Sequence, residues 1–199
     1  MIKIKHISEI SLKQGLSEAK DEQLTKDVAE IIANVRENGD QALRAYTAKF
    51  DGARVDELEV SGSEMEEAVN SVEKELIDVL KGATENIYKF HEKQKRDDLI
   101  LFEEDGKILG QKFTPIERVG LYVPGGTAVY PSTMLMTVIP AKIAGCANIT
   151  MVSPPDKAGS VSPLILAAAK IAGVNKVYKV GGAQAIAALA YGTESIENV

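Results

Sequence analysis

Apolar residues at Leu24, Val28, Ile31, Ile32 and Val35 recur at helical spacing, so one face of an amphipathic helix is predicted there. Asn38-Gly39 ends that helix, with glycine suited to a left-handed cap. Asp40 is placed to cap a second helix whose apolar face is Leu43, Tyr46 and Phe50, and Asp51-Gly52 stops it. Ser63 and Glu66 have the form of a capping box. From Met65 through Val69, Val72, Leu76, Val79, Leu80, Ile87 and Phe90 the helical spacing continues, with Ser71 dividing a short helix from a long one. Lys93, Lys95 and Arg96 close the long helix with favourable charge. Leu99, Leu101 and Phe102 then face Ile108, Leu109 and Phe113 across Asp105-Gly106, the strongest short hairpin signal.

The texture changes at Val119. Val119, Leu121 and Val123 predict a short strand, ended by Pro124-Gly125-Gly126. A helix is expected over 132–144, kinked or broken by Pro140. Ile149, Met151 and Val152 predict the next strand. Ser162 and Pro163 then open a helix that ends at Gly173. Val177, Tyr178 and Val180 predict the third strand, followed by Gly181-Gly182 and a small-residue helix to Tyr191. Three strand–helix alternations predict an α/β fold, a parallel sheet with helices on both faces, preceded by a mainly helical region with a β-hairpin. Strand C-termini then share one edge.

Charge draws the same boundary. Residues 1–116 hold 17 Lys+Arg and 25 Asp+Glu, a balance of −8, whereas residues 117–199 hold 6 and 4, a balance of +2. Two regions are therefore expected, 1–116 and 117–199. Bases interspersed with acids suit a solvated helix face, not a nucleic-acid footprint. The single Cys146 excludes an internal disulfide and reads as a small buried residue. The start, MIKIKHISEI, has no apolar stretch for a signal peptide, and no run reaches the ~18 apolar residues of a membrane span, so a cytoplasmic protein is expected.

In open parallel sheets ligands bind beyond the strand C-termini, here residues 122–127, 153–155 and 181–184. Glycine pairs followed by a helix start suit a phosphate, although a tight strand-to-helix turn has the same pattern and the usual dinucleotide fingerprint is absent. Gln184, alone in an apolar helix, either caps a backbone group or faces a ligand. Tyr122 is either an edge-of-core tyrosine or a ligand contact. Thr193-Glu194-Ser195 reads as a helix exit or a new cap. No histidine lies beyond residue 116; His6 and His91 have no partners at metal-ligand spacing. No catalytic pair and no metal site can be assembled, so the chain offers a binding surface without an evident proton acceptor.

RVGLYVPGGTAVYPSTMLMTVIPAKIAGC and VYKVGGAQAIAALAYGTESI, together with VRENGDQALRAYTAKFDG and NIYKFHEKQK, closely resemble histidinol dehydrogenase over essentially the whole chain. The resemblance implies oxidation of L-histidinol to L-histidine in two steps, with two NAD and one zinc ion per site, in a homodimer. It implies that Tyr122 and Gln184 contact NAD. Family members are roughly twice this length. The chain is therefore expected to be an amino-terminal portion with a Rossmann-like sheet that is incomplete at its C-terminal end. The acid/base pair and zinc ligands should lie outside it, leaving it inactive alone. The alternative is a non-catalytic binding or assembly module that retains the fold.

Overall fold

A computed structural model describes residues 18–102, 105–125 and 129–199, with side chains from residue 22 onward. His6, the MIKIKHISEI start, and Gly126 and Thr127 of the first glycine turn lie outside the described residues.

The elements follow the hydrophobic pattern closely. Helix α1 (Glu18–Phe50) is two helices joined at Gly39, whose φ of 47° and ψ of −129° break the helical run. Helices α2 (Gly62–Ser71) and α3 (Lys74–Glu92) are separated just after Ser71, as the spacing predicts. The hairpin consists of β1 (Leu99–Phe102) and β2 (Ile108–Gln111), antiparallel, with Leu101 opposite Leu109. Strands β3 (Arg118–Tyr122), β4 (Asn148–Ser153) and β5 (Lys176–Lys179) form a parallel sheet in that order, linked by α4 (Pro131–Ala144) and α5 (Pro163–Ala172). Helix α6 (Gly182–Tyr191) follows β5.

Period-two alternation divides the sheet between two cores. Val123, Ile149, Met151 and Val177 pack against α4 and α5, behind which lie α2 and α3. Val152, Tyr178 and Val180 face the other way, onto α6 and the second half of α1. Helices therefore cover both faces, and the expected α/β architecture is observed. The acidic front region is part of the same packing. Val60, Ala68 and Leu80 enter one core, while Val35, Leu43 and Leu58 enter the other. Residues 58–60 also join the sheet: Lys179 N–H donates to Leu58 C=O at 2.7 Å and Val60 N–H to Val177 C=O at 2.8 Å, covering the outer edge of β5.

Three local expectations are corrected. The capping box belongs to Ser61 and Glu64: Glu64 N–H donates to Ser61 Oγ at 3.1 Å and Ser61 N–H to Glu64 Oε2 at 2.9 Å. Val60, held on the edge of β5, and Met65 share one apolar cluster, which sets the helix start two residues earlier than Ser63. Asp40 does not cap its helix with its own carboxylate. Glu194 Oε2 accepts the Asp40 N–H at 2.7 Å instead, while the Asp40 carboxylate accepts from Ser195. Pro140 neither breaks nor ends α4, which is continuous from Pro131 to Ala144. Packing of Val138, Ile139 and Ile143 into the core holds the helix through the missing N–H.

Candidate functional site

The C-terminal edge of the parallel sheet gathers three short loops. Tyr122 ends β3, Ser153 ends β4, and Gly181-Gly182 follow β5. A β-carbon on Gly181 would lie 2.6 Å from Pro154 Cβ, and one on Gly125 would lie 2.8 Å from the Pro154 carbonyl oxygen and 3.0 Å from Ser153 Oγ. The three loops thus meet around Pro154, at a closeness only glycine permits.

Tyr122 and Gln184 come together on the α6 side of this edge. Gly182 N–H donates to Tyr122 Oη at 3.2 Å, and Gly182 opens the helix in which Gln184 is the third residue. In register Tyr122 pairs with Val152, which faces α6, so alternation carries the ring to that side. The ring retains 36% exposure, enough to meet a ligand.

Gln184 differs sharply. It is 1% exposed, and neither its Nε2 nor its Oε1 has a hydrogen-bond partner. Leaving buried polar atoms unpaired costs about 1–3 kcal/mol each, so such groups are uncommon without a reason. Of the two readings the sequence left open, backbone capping is not observed, since neither amide atom bonds a backbone group. Ala183 and Gln184 also lie in the first turn of α6, where backbone N–H groups have no intrahelical acceptor. The Tyr122 hydroxyl and the Gln184 amide thus both lie beside Gly182.

Ser153 adds a second unpaired group that the sequence did not single out. It is fully buried, and its Oγ has no partner. The signal for it is slight: a hydroxyl at the end of an otherwise apolar strand, NITMVS. The remaining unpartnered buried atoms, in Thr47, Asp51 and His91, belong to α1, its exit and α3.

Lys157 stands exposed in the loop after β4. Lys179, 7% exposed at the end of β5, donates to Glu64 Oε1 at 2.6 Å. Burial pushes the Glu64 carboxyl up, but the hydrogen bond from Lys179, the Ser61 backbone bond and the Lys179 charge outweigh it and hold it below its ordinary range. Cys146 is half-buried and packs against the apolar core. The donor set does not suit zinc: among the described residues no three His, Cys, Asp or Glu side chains converge to hold a metal ion.

A family model described as histidinol dehydrogenase matches residues 15–199. The chain belongs to the histidinol dehydrogenase family. The histidinol dehydrogenase of Geobacillus kaustophilus is 50% identical over 190 residues, which is 96% of this chain and 45% of that protein. That of Methanocaldococcus jannaschii is 49% identical over 203 residues, 98% of this chain and 47% of that protein. The crystal structure of histidinol dehydrogenase from Elizabethkingia anophelis superposes with a TM-score of 0.85 at 39% identity, covering 93% of this chain and 42% of that one. The chain spans slightly under half the length of the curated relatives it matches. Family membership makes the chain part of an oxidoreductase family of histidine biosynthesis, and the fold agrees with that family's solved structure.

Proposed function

We propose that this chain supplies the NAD-binding part of an enzyme that oxidises L-histidinol to L-histidine through the aldehyde, using two NAD. The observation that carries this reading is the Gln184 amide, buried and unpartnered at the first turn of α6 beside the Tyr122 ring. The edge suits a dinucleotide because it lies at the strand C-termini, where Gly125 and Gly181 let the loops close on Pro154 with no side chain between them. NAD held at this edge would supply the hydride acceptor for the oxidation.

The chain's own residues bind and orient. The Gln184 amide both donates and accepts, fixing the rotation of a polar group at the start of α6. Tyr122 offers its ring face and, through Oη, holds the N-terminus of α6 against the end of β3. The first-turn N–H groups of Ala183 and Gln184 favour a negatively charged group. Zinc ligands and the acid/base groups belong to polypeptide outside this chain, and no proton transfer is assigned within it. The complete enzyme is a cytoplasmic homodimer in this reading. Among the described residues no helix is long and apolar enough to cross a membrane.

Two measurements test the reading. The 199-residue chain given histidinol, NAD and zinc should produce no NADH, and measurable turnover would show that its chemistry is complete. In the complete enzyme, Gln184→Ala should raise the KM for NAD roughly tenfold, the loss of one buried hydrogen bond to a ligand, with zinc content unchanged. Zinc loss at unaltered NAD affinity would reverse the assignment. Tyr122→Phe should bind NAD nearly as well, whereas Tyr122→Ala should not. A non-catalytic module that retains the fold is the second reading, favoured by the lack of converging donor side chains among the described residues. It predicts NAD binding without turnover even when the remaining polypeptide is supplied.

A further inference from the structure

The chain carries two Asp-Gly pairs, Asp51-Gly52 and Asp105-Gly106, and the fold treats them in opposite ways. In such a pair the glycine nitrogen can attack the aspartyl side-chain carboxyl, because glycine sets no β-carbon in the way. The reaction needs a neutral carboxyl, which can shed water; a carboxylate would have to shed oxide.

Asp51 is held in the form that reacts. It follows the last turn of α1, its own N–H donating to Thr47 C=O at 3.0 Å. It therefore stands at the negative end of the helix, where further negative charge is unfavourable. Its Oδ2 is buried without a hydrogen-bond partner, and Thr47 Oγ1, one turn back, is unpartnered too. Among the described residues Asp51 forms no ion pair, and Lys49 lays its ammonium over the Phe50 ring, 5.2 Å from the centroid. Burial pushes the Asp51 carboxyl up. The attacking group is unengaged as well. Gly52 is exposed, has a φ of 69°, and has nothing within 4 Å of where a β-carbon would lie. Among the described residues its N–H takes part in no hydrogen bond.

Asp105 is the contrast. At the exposed hairpin turn its carboxylate accepts from the Lys107 ammonium and from the Lys107 N–H at 3.3 Å, and these bonds hold it below its ordinary range. Asn38-Gly39, the one Asn-Gly pair, lies inside α1, with Asn38 Nδ2 donating to Asn34 Oδ1 at 2.7 Å.

We propose that Asp51-Gly52 is a site of self-modification, at which the folded chain converts Asp51 to isoaspartate. Gly52 N attacks Asp51 Cγ; the C–N bond forms as the Cγ–OH bond breaks, and the Gly52 N–H proton leaves with the hydroxyl as water. Water then adds to the Asp51 α-carbonyl of the cyclic imide and breaks its bond to Gly52 N. A free α-carboxylate is left, and the backbone now runs through Cβ and Cγ. No oxidant, reductant or cofactor takes part. The backbone is one methylene longer just ahead of residues 53–60, where Ala53, Val55 and Leu58 enter the core and Leu58 and Val60 are bonded to β5. The product is a less stable chain.

The test is incubation of the 199-residue chain at neutral pH in heavy-oxygen water, then trypsin digestion in ordinary water and mass spectrometry. Each opening of the imide fixes one heavy oxygen, and tryptic peptides 50–54 and 97–107 separate the two pairs. Peptide 50–54 should gain label severalfold faster than 97–107 in the folded chain, and at a similar rate in urea. Label arriving no faster in 50–54 would overturn the proposal. So would a preference for 50–54 that survives in urea, since it would not come from the fold. Asp51→Glu, whose side chain would close a larger ring, should take up no label at this position. A protease that cuts before aspartate but not isoaspartate should leave part of the labelled 50–54 intact; complete cleavage would mean that the imide reopens only to aspartate. The isomerised chain, separated by chromatography, should unfold at lower urea than its parent, and an equal midpoint would refute the loss of stability.

Discussion

Gln184 is where burial and chemistry disagree most sharply. Both amide atoms are desolvated and unpaired, so the residue lowers the stability of the ligand-free fold. Gln184→Met keeps most of the volume and removes the two unpaired atoms. The expected outcome is an unfolding midpoint equal to wild type or higher, by ~1 kcal/mol or more, with NAD affinity lowered roughly tenfold. Urea denaturation beside an NAD titration checks it, and a large loss of stability would mean that the amide has a structural partner in solution. The identity of the residue was legible in GGAQA, but its predicament was not. Period and composition place a polar side chain near a helix start, whereas only tertiary packing decides whether water reaches it.

At the level of elements, the clasp between the bend of α1 and the loop after α6 sets a pH limit. Glu194 caps the Asp40 N–H, and the buried Asp40 carboxylate accepts from Ser195 N–H at 3.3 Å and from Ser195 Oγ, with Arg44 at 3.6 Å. Burial pushes the Asp40 carboxyl up, but the hydrogen bonds from Ser195 and Thr193 and the Arg44 charge outweigh it, so the folded value lies below the ordinary one. A carboxylate lowered on folding stabilises fully above its unfolded value and loses that contribution as pH falls through its folded value. Stability should therefore be level from neutrality down to about pH 5 and fall below about pH 4, with Glu64 contributing in the same direction. Asp40→Asn should be less stable at pH 7 by ~1–3 kcal/mol and less sensitive to acid, as urea midpoints across pH will show. Equal acid sensitivity in the variant would place the effect elsewhere. The helices, the hairpin and the parallel strands were all legible as hydrophobic periods. The clasp was not, because it joins residues 155 apart, and local pattern carries no information about such pairs. The Ser61 cap was shifted for a related reason: two overlapping Ser-x-x-acid patterns exist, and contact with β5 chooses between them.

For the molecule as a whole, the two-stranded ribbon is the conspicuous unpaired surface. Phe102 is 77% exposed, Ile108 65% and Ile116 69%, and every residue of β1 and β2 is exposed. A two-stranded ribbon is at best marginal in water, and a patch of this kind favours association. Sedimentation velocity of the 199-residue chain should show mass rising with concentration, and Phe102→Lys with Ile108→Lys should shift it toward monomer. A chain that is monomeric at every concentration would show that the ribbon is silent in isolation. The central sheet has the opposite character on one flank. Residues 58–60 occupy the far side of β5, while β3 has β4 as its sole strand neighbour among the described residues. Growth of the sheet is therefore one-directional: any further strand, from this polypeptide or a foreign one, has only the flank of β3 to add to, which puts the newcomer next to Tyr122.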